Sequence, residues 1–123
     1  MSETGSTKRY RPETKLVHAG ALRSQFGETS EALFLTQGFI YDTAEQCEAR
    51  FKGEDPGFLY SRFSNPNISM FEQRMIELEG AEAARATATG MAAVTTAILA
   101  PLRAGDHLVA SKALFGSCLY VVQ

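Results

Sequence analysis

Tyr60 and Arg62, in the stretch YSRFSNPN, are the first side chains whose types and spacing could do chemistry together. A guanidinium holds two oxygens of a phosphate or carboxylate in a planar fork, and a phenol donates one further hydrogen bond. In extended backbone, residues two apart share a face, so the pair forms a small anion clip. An exposed arginine beside a packed tyrosine reads the same way, and both readings stand at this point. The stretch holds no second basic residue, so it is not a general cationic face.

A second candidate is TATGMAAV. A strand that runs through Thr-Gly straight into a helix leaves unpaired N–H groups at the positive end of the helix dipole. Gly90 allows close backbone approach, and the hydroxyls of Thr87 and Thr89 add donors, so a phosphate fits there. Strand–glycine–helix junctions also occur in α/β proteins that bind nothing at them. The chain has neither the P-loop pattern nor the GxGxxG fingerprint.

These candidates need elements to hold them. Thr43 with Gln46 three residues later forms a capping box and predicts a helix over 44–51, ended by Gly53. Asn65 caps a second helix, with Pro66 in its first turn and Gly80 closing it. Along that helix Ile68, Phe71, Met75 and Leu78 form one apolar stripe, which is expected to pack as core. Residues 83–89 and 107–110 are strand candidates and 90–99 a helix ending before Pro101, giving strand, helix, strand. That order favours a right-handed βαβ crossover in a mainly parallel sheet, with a further helix after LFG. Residues 1–30 carry no sustained period and read as an extended arm. Two short strands do not make a covered parallel sheet, so the chain is expected to be the front of a larger architecture.

Composition narrows the function classes. With 123 residues, 45% apolar and 21% charged, the chain reads as one ordinary soluble domain of net charge −2. That balance argues against nucleic-acid or polybasic membrane partners. Gly90 to Leu102 falls short of the ~20 apolar residues of a spanning helix, and the N-terminus lacks the apolar stretch of a secretory signal, so a cytoplasmic location is expected. Cys47, Cys118, His18 and His107 are isolated from one another in sequence, so no metal site is expected.

Taken in order, Y-x-R-x-x-N-P, the helix ending ELEGAEAA, the T-G-M-A-A turn and DHLVASKALFG resemble the Cys/Met-metabolism family of pyridoxal-phosphate enzymes. KLVHAGALR and LTQGFIYDTAEQ fit the same family's N-terminal region, so the resemblance runs from about Lys15 to Gln123. It implies an α/β fold of the fold-type I aminotransferase kind, with an N-terminal arm and short helix over 1–58 that contacts another subunit. Residues 59–123 would then begin the cofactor-binding domain. The resemblance assigns Thr89, Gly90 and Met91 to the cofactor phosphate, and Tyr60 and Arg62 to the phosphate of the neighbouring subunit's cofactor. Phe115 stands where the family usually has a tyrosine stacked on the pyridine ring. Its ring can still stack, but a hydroxyl role at that point is lost, which argues against a lyase mechanism that needs it.

The resemblance also implies pyridoxal 5'-phosphate as cofactor, an amino-acid substrate and a homo-oligomer, a dimer of dimers. The ALFGSC detail is nearest to the branch that joins sulfide to O-succinylhomoserine to make homocysteine in methionine biosynthesis. Cystathionine γ-synthase, O-acetylhomoserine sulfhydrylase and γ-lyase activities share these motifs, and a truncated, non-catalytic interaction domain is the alternative from another class. The family's Schiff-base lysine belongs to a later S-x-T-K segment, so no catalytic residue is expected in this chain. Lys112 in ASKALFG matches no family lysine and reads as a solvated surface residue.

Overall fold

The computed structural model describes residues 10–123. Their helices are α1 (Pro12–His18), α2 (Ala44–Lys52), α3 (Pro66–Glu79), α4 (Gly90–Leu99) and α5 (Gly116–Val122). They fall into two compact units, one up to Ala84 and one from Arg85 onward.

In the first unit, α2 forms where its cap demands it. Thr43 Oγ1 accepts from Gln46 N at 3.1 Å, while the Gln46 side chain accepts from Asp42 N at 2.8 Å, one residue earlier than an ideal capping box. Gly53 ends the helix in the left-handed region at φ 76°, one residue past the predicted end. Arg50 then fastens the loop that follows. Its Nε bonds Asp55 at 2.9 Å, and its guanidinium lies 5.6 Å from the centre of the Tyr41 ring. Tyr41 in turn donates to the Leu59 carbonyl at 2.9 Å, which brings the chain in at a defined angle to Tyr60.

Helix α3 starts as its sequence predicts. The Asn65 side chain accepts from Asn67 N at 2.9 Å, Pro66 sits in the first turn, and Gly80 caps the far end. Residues 10–30 differ from the arm expected over residues 1–30. Residues 1–9 of that arm lie outside the described residues, and within the remainder α1 forms and packs on α3. Pro12 at its start and Glu13 in its first turn favour a short helix, which becomes stable by docking.

The docked face of α3 is also not the predicted one. Met70 is 2% exposed and its sulfur accepts from Leu22 N; Gln73 meets Gly20; Arg74 donates to the carbonyls of Val17 and Ala19 and pairs with Glu31; Glu77 pairs with Lys15. These positions run i, i+3, i+4, i+7 along one side. The apolar stripe lies next to it, with Phe71 49% exposed and Ile68 and Leu78 exposed as well. Hydrophobic spacing identified residues that share a face but not the neighbour that covers it. Gly20 is required at this contact: its φ is +64°, and a Cβ there would lie 2.6 Å from Gln73 Cβ.

In the second unit, α4 matches the predicted 90–99 span and α5 follows LFG as expected. The two pack on each other, and Met91, Val94 and Ile98 of α4 and Leu119 and Val122 of α5 are half-buried. The strands expected at 83–89 and 107–110 are not formed. Among the described residues the β pairing is one antiparallel bridge between Gly38 and Tyr60. A parallel strand exists only through ladder bonds to neighbours, and these two segments do not pair with each other. Instead Asp106 and Arg103 close a turn on themselves, with bonds of 2.7 and 3.0 Å.

Candidate functional site

Tyr60 and Arg62 are held by a strap from residues 32–38. Ser61 N donates to the Gln37 carbonyl at 2.9 Å, Ser61 Oγ donates to the Thr36 carbonyl, and Tyr60 bridges Gly38. The two asparagines of SNPN complete the lacing. Asn65 Nδ2 donates to the Phe34 carbonyl at 2.9 Å and to Ser61 Oγ at 3.0 Å. Asn67 exchanges bonds of 2.7 Å with Phe34 N and the Ala32 carbonyl. Each asparagine therefore joins the start of α3 to a segment more than 30 residues away in sequence. Asn65 is only 8% exposed, so its polar atoms depend on these partners.

On this strapped loop the Arg62 guanidinium lies 4.6 Å from the centre of the Phe63 ring and 5.5 Å from that of Tyr60. Ring faces hold a cation without consuming its hydrogen-bond donors. The Tyr60 hydroxyl accepts from Gln37 Nε2. Both residues border a cavity of about 330 Å³ whose wall also carries Phe39, Tyr41, Phe51 and Phe63. An aromatic wall with one guanidinium and one phenol suits a ligand with an anionic group.

The second unit presents the start of α4. Thr89 Oγ1 accepts from Ala92 N at 3.1 Å, and the Thr89 carbonyl accepts the first intrahelical bond, from Ala93 N at 3.0 Å. The N–H groups of Gly90 and Met91 come ahead of that bond and have no partner within the helix. A Cβ at Gly90 meets no protein atom within 4 Å, so the helix end is open to a group approaching its backbone. The Thr87 hydroxyl is not the extra donor expected of it, because it already donates to the Thr89 carbonyl at 2.8 Å. Phe115 precedes α5 and is 74% exposed.

The donor chemistry of both places fits a phosphate ester: a guanidinium, a phenol and free helix N–H groups. Among the described residues no group of three His, Cys, Asp or Glu side chains is placed to hold a metal, and no helix is long and apolar enough to cross a membrane. Sequence reasoning assigned no role to Gln37, Arg50 or Asn67, although Gln37 lies in LTQGFIYDTAEQ and Asn67 in the Asn-Pro-Asn turn.

Comparison with known proteins agrees with this chemistry. The Cys/Met metabolism PLP-dependent enzyme family matches residues 13–123, and the chain belongs to that family of pyridoxal-phosphate enzymes. Within it, the chain is 53% identical over 105 residues to an O-succinylhomoserine sulfhydrylase of Mycobacterium tuberculosis, covering 85% of this chain and 26% of that protein. It is 42% identical over 103 residues to an L-methionine gamma-lyase of Porphyromonas gingivalis, covering 84% and 26%. A crystal structure of a Campylobacter jejuni protein described as an O-acetylhomoserine (thiol)-lyase, carrying N'-pyridoxyl-lysine-5'-monophosphate, superposes with a TM-score of 0.69 at 28% identity. It covers 72% of this chain and 22% of the solved one. The chain thus spans about a quarter of the length of the curated relatives it matches.

Proposed function

We propose that this chain is the N-terminal part of a cytoplasmic, homo-oligomeric enzyme that converts O-succinylhomoserine and sulfide to homocysteine and succinate. One observation carries the cofactor side of the reading: Tyr60 and Arg62 are strapped onto one loop by backbone and asparagine bonds while, among the described residues, the guanidinium rests only on rings. A loop so constrained, with its cationic donors unspent, is pre-organised for an anion. The higher identity to the sulfhydrylase than to the γ-lyase supports the substrate choice, as does a ring without a hydroxyl at Phe115.

In this reading residues 1–58 contact a second subunit and 59–123 open the cofactor-binding domain. Tyr60 and Arg62 hold the phosphate of the adjacent subunit's cofactor. Thr89, Gly90 and Met91 present the α4 start to the phosphate bound in their own subunit, and Phe115 lays its ring against the pyridine plane. When bound, pyridoxal phosphate supplies the electron sink for removing protons near the substrate's amino group. The work of these residues is to bind and orient; none of them moves a proton.

The test is to assay the full-length protein with sulfide and either O-succinylhomoserine or O-acetylhomoserine, and with methionine alone. A kcat/KM preference for the succinyl ester supports the reading. Preference for the acetyl ester, or release of methanethiol from methionine at a comparable rate, overturns the substrate assignment. For the site, Arg62→Ala is expected to weaken cofactor retention by roughly 10- to 150-fold, the loss of a charged hydrogen bond worth about 1.5 to 3 kcal/mol. Equal retention after dialysis of wild type and variant overturns the clip.

A further inference from the structure

The clip depends on which way the Tyr60 hydroxyl points. A phenol has one proton to donate and lone pairs with which to accept. A neighbour that accepts the proton turns the phenol inward, and a neighbour that donates to the oxygen leaves the proton for an external group. Gln37 Nε2 is the donor to Tyr60 Oη, and an amide N–H has no capacity to accept. Among the described residues no group accepts the Tyr60 proton.

Gln37 is itself pinned opposite Tyr60. Its carbonyl accepts from Ser61 N at 2.9 Å, its neighbour Gly38 bridges Tyr60, and the Thr36 carbonyl accepts from Ser61 Oγ. The amide therefore reaches the phenol from a backbone fixed in register with it.

We infer that Gln37 is a positioning residue for the anion clip: by donating to Tyr60 Oη it directs the phenol proton outward, toward the phosphate that Arg62 binds. The inference rests on the proposed phosphate role of Tyr60 and Arg62. It adds a residue that touches neither cofactor nor substrate and whose contribution passes wholly through one hydroxyl.

The test uses the full-length holoenzyme and reads the dissociation constant of pyridoxal phosphate together with the 31P resonance of the bound phosphate. Gln37→Met keeps the length of the side chain and removes the donor. It is expected to raise the dissociation constant about three- to tenfold and to shift the 31P resonance, the scale of one lost hydrogen bond. Gln37→Glu, which only accepts when ionised, captures the phenol proton and is expected to weaken binding further. In a Tyr60→Phe background both substitutions should leave the constant unchanged, because the hydroxyl through which they act is gone.

The outcomes separate the two claims. If Tyr60→Phe weakens binding but Gln37→Met leaves it unchanged or tightens it, the Gln37 inference is wrong and the clip stands. Tightening would mean that the amide oxygen takes the phenol proton and competes with the anion. If Gln37→Met weakens binding equally in the Tyr60→Phe background, the residue acts through packing and the inference again fails. If neither Tyr60→Phe nor Arg62→Ala affects retention, the phosphate reading itself falls and takes this inference with it.

Discussion

The starts of α3 and α4 use the same local device with different support. At α3, Asn65 caps the helix through Asn67 N and also reaches the Phe34 carbonyl and Ser61 Oγ, in a position 8% exposed, one turn from the buried Met70. At α4, Thr89 caps through Ala92 N on an exposed turn, and the helix has no fully buried residue. Capping is a contract between residues two or three apart and forms in both places. What differs is long-range lacing, which α3 has and α4 lacks among the described residues. The laced start holds Tyr60 and Arg62 in a fixed relation, whereas the open start leaves backbone N–H groups ready for a ligand.

The sharpest way to break this comparison is to remove each cap. Asn65→Ala deletes the cap and two lacing bonds at a buried site, and is expected to cost about 3 kcal/mol in the full-length protein, measured by denaturant unfolding. Gly20→Ala tests the α1 docking and should cost about 2 kcal/mol, from left-handed strain and the collision with Gln73. A wild-type midpoint for Gly20→Ala would mean that α1 does not dock on α3 in solution. Thr89→Ala removes only a cap and should cost about 1 kcal/mol. Equal losses for Asn65→Ala and Thr89→Ala would erase the distinction between the two helix starts.

The smallest effect concerns pH. Bonds from the Ser24 hydroxyl and backbone N–H, at 2.6 and 2.7 Å, hold the Glu28 carboxyl below its ordinary range. Its contribution is present above the ordinary glutamate pKa and is lost as the pH falls through the depressed folded value. A 13C titration of the Glu28 carboxyl should show the lowered midpoint, and Ser24→Ala should move it back up. An unchanged midpoint in that variant would remove the Ser24 hydroxyl as a cause.

Much of the local structure was legible because its causes are local. Thr43 with Gln46, Asn65 with Pro66, and Thr89 with Gly90 each mark a helix start, and Gly53 and Gly80 each mark an end; the structure places helices at all three starts. Helix α1 was missed because seven residues without a period become a helix by docking on α3. The strands expected at 83–89 and 107–110 do not form among the described residues because small, β-prone segments announce willingness to pair, and pairing needs partners. The α3 stripe shows the same limit: spacing defined an apolar face, while Met70, Gln73, Arg74 and Glu77 on the adjacent side made the contact.

The sequence by itself determined the helix ends, the donors of the candidate clip and the family, since each resides in residue types at short fixed spacings. Only the tertiary structure decided that Leu22, past the end of α1, meets Met70, that residues 32–38 strap the clip, and that Gln37 meets the Tyr60 hydroxyl. Those contacts join residues 22 to 48 positions apart, and no short-range rule says which of many possible partners will close such a loop.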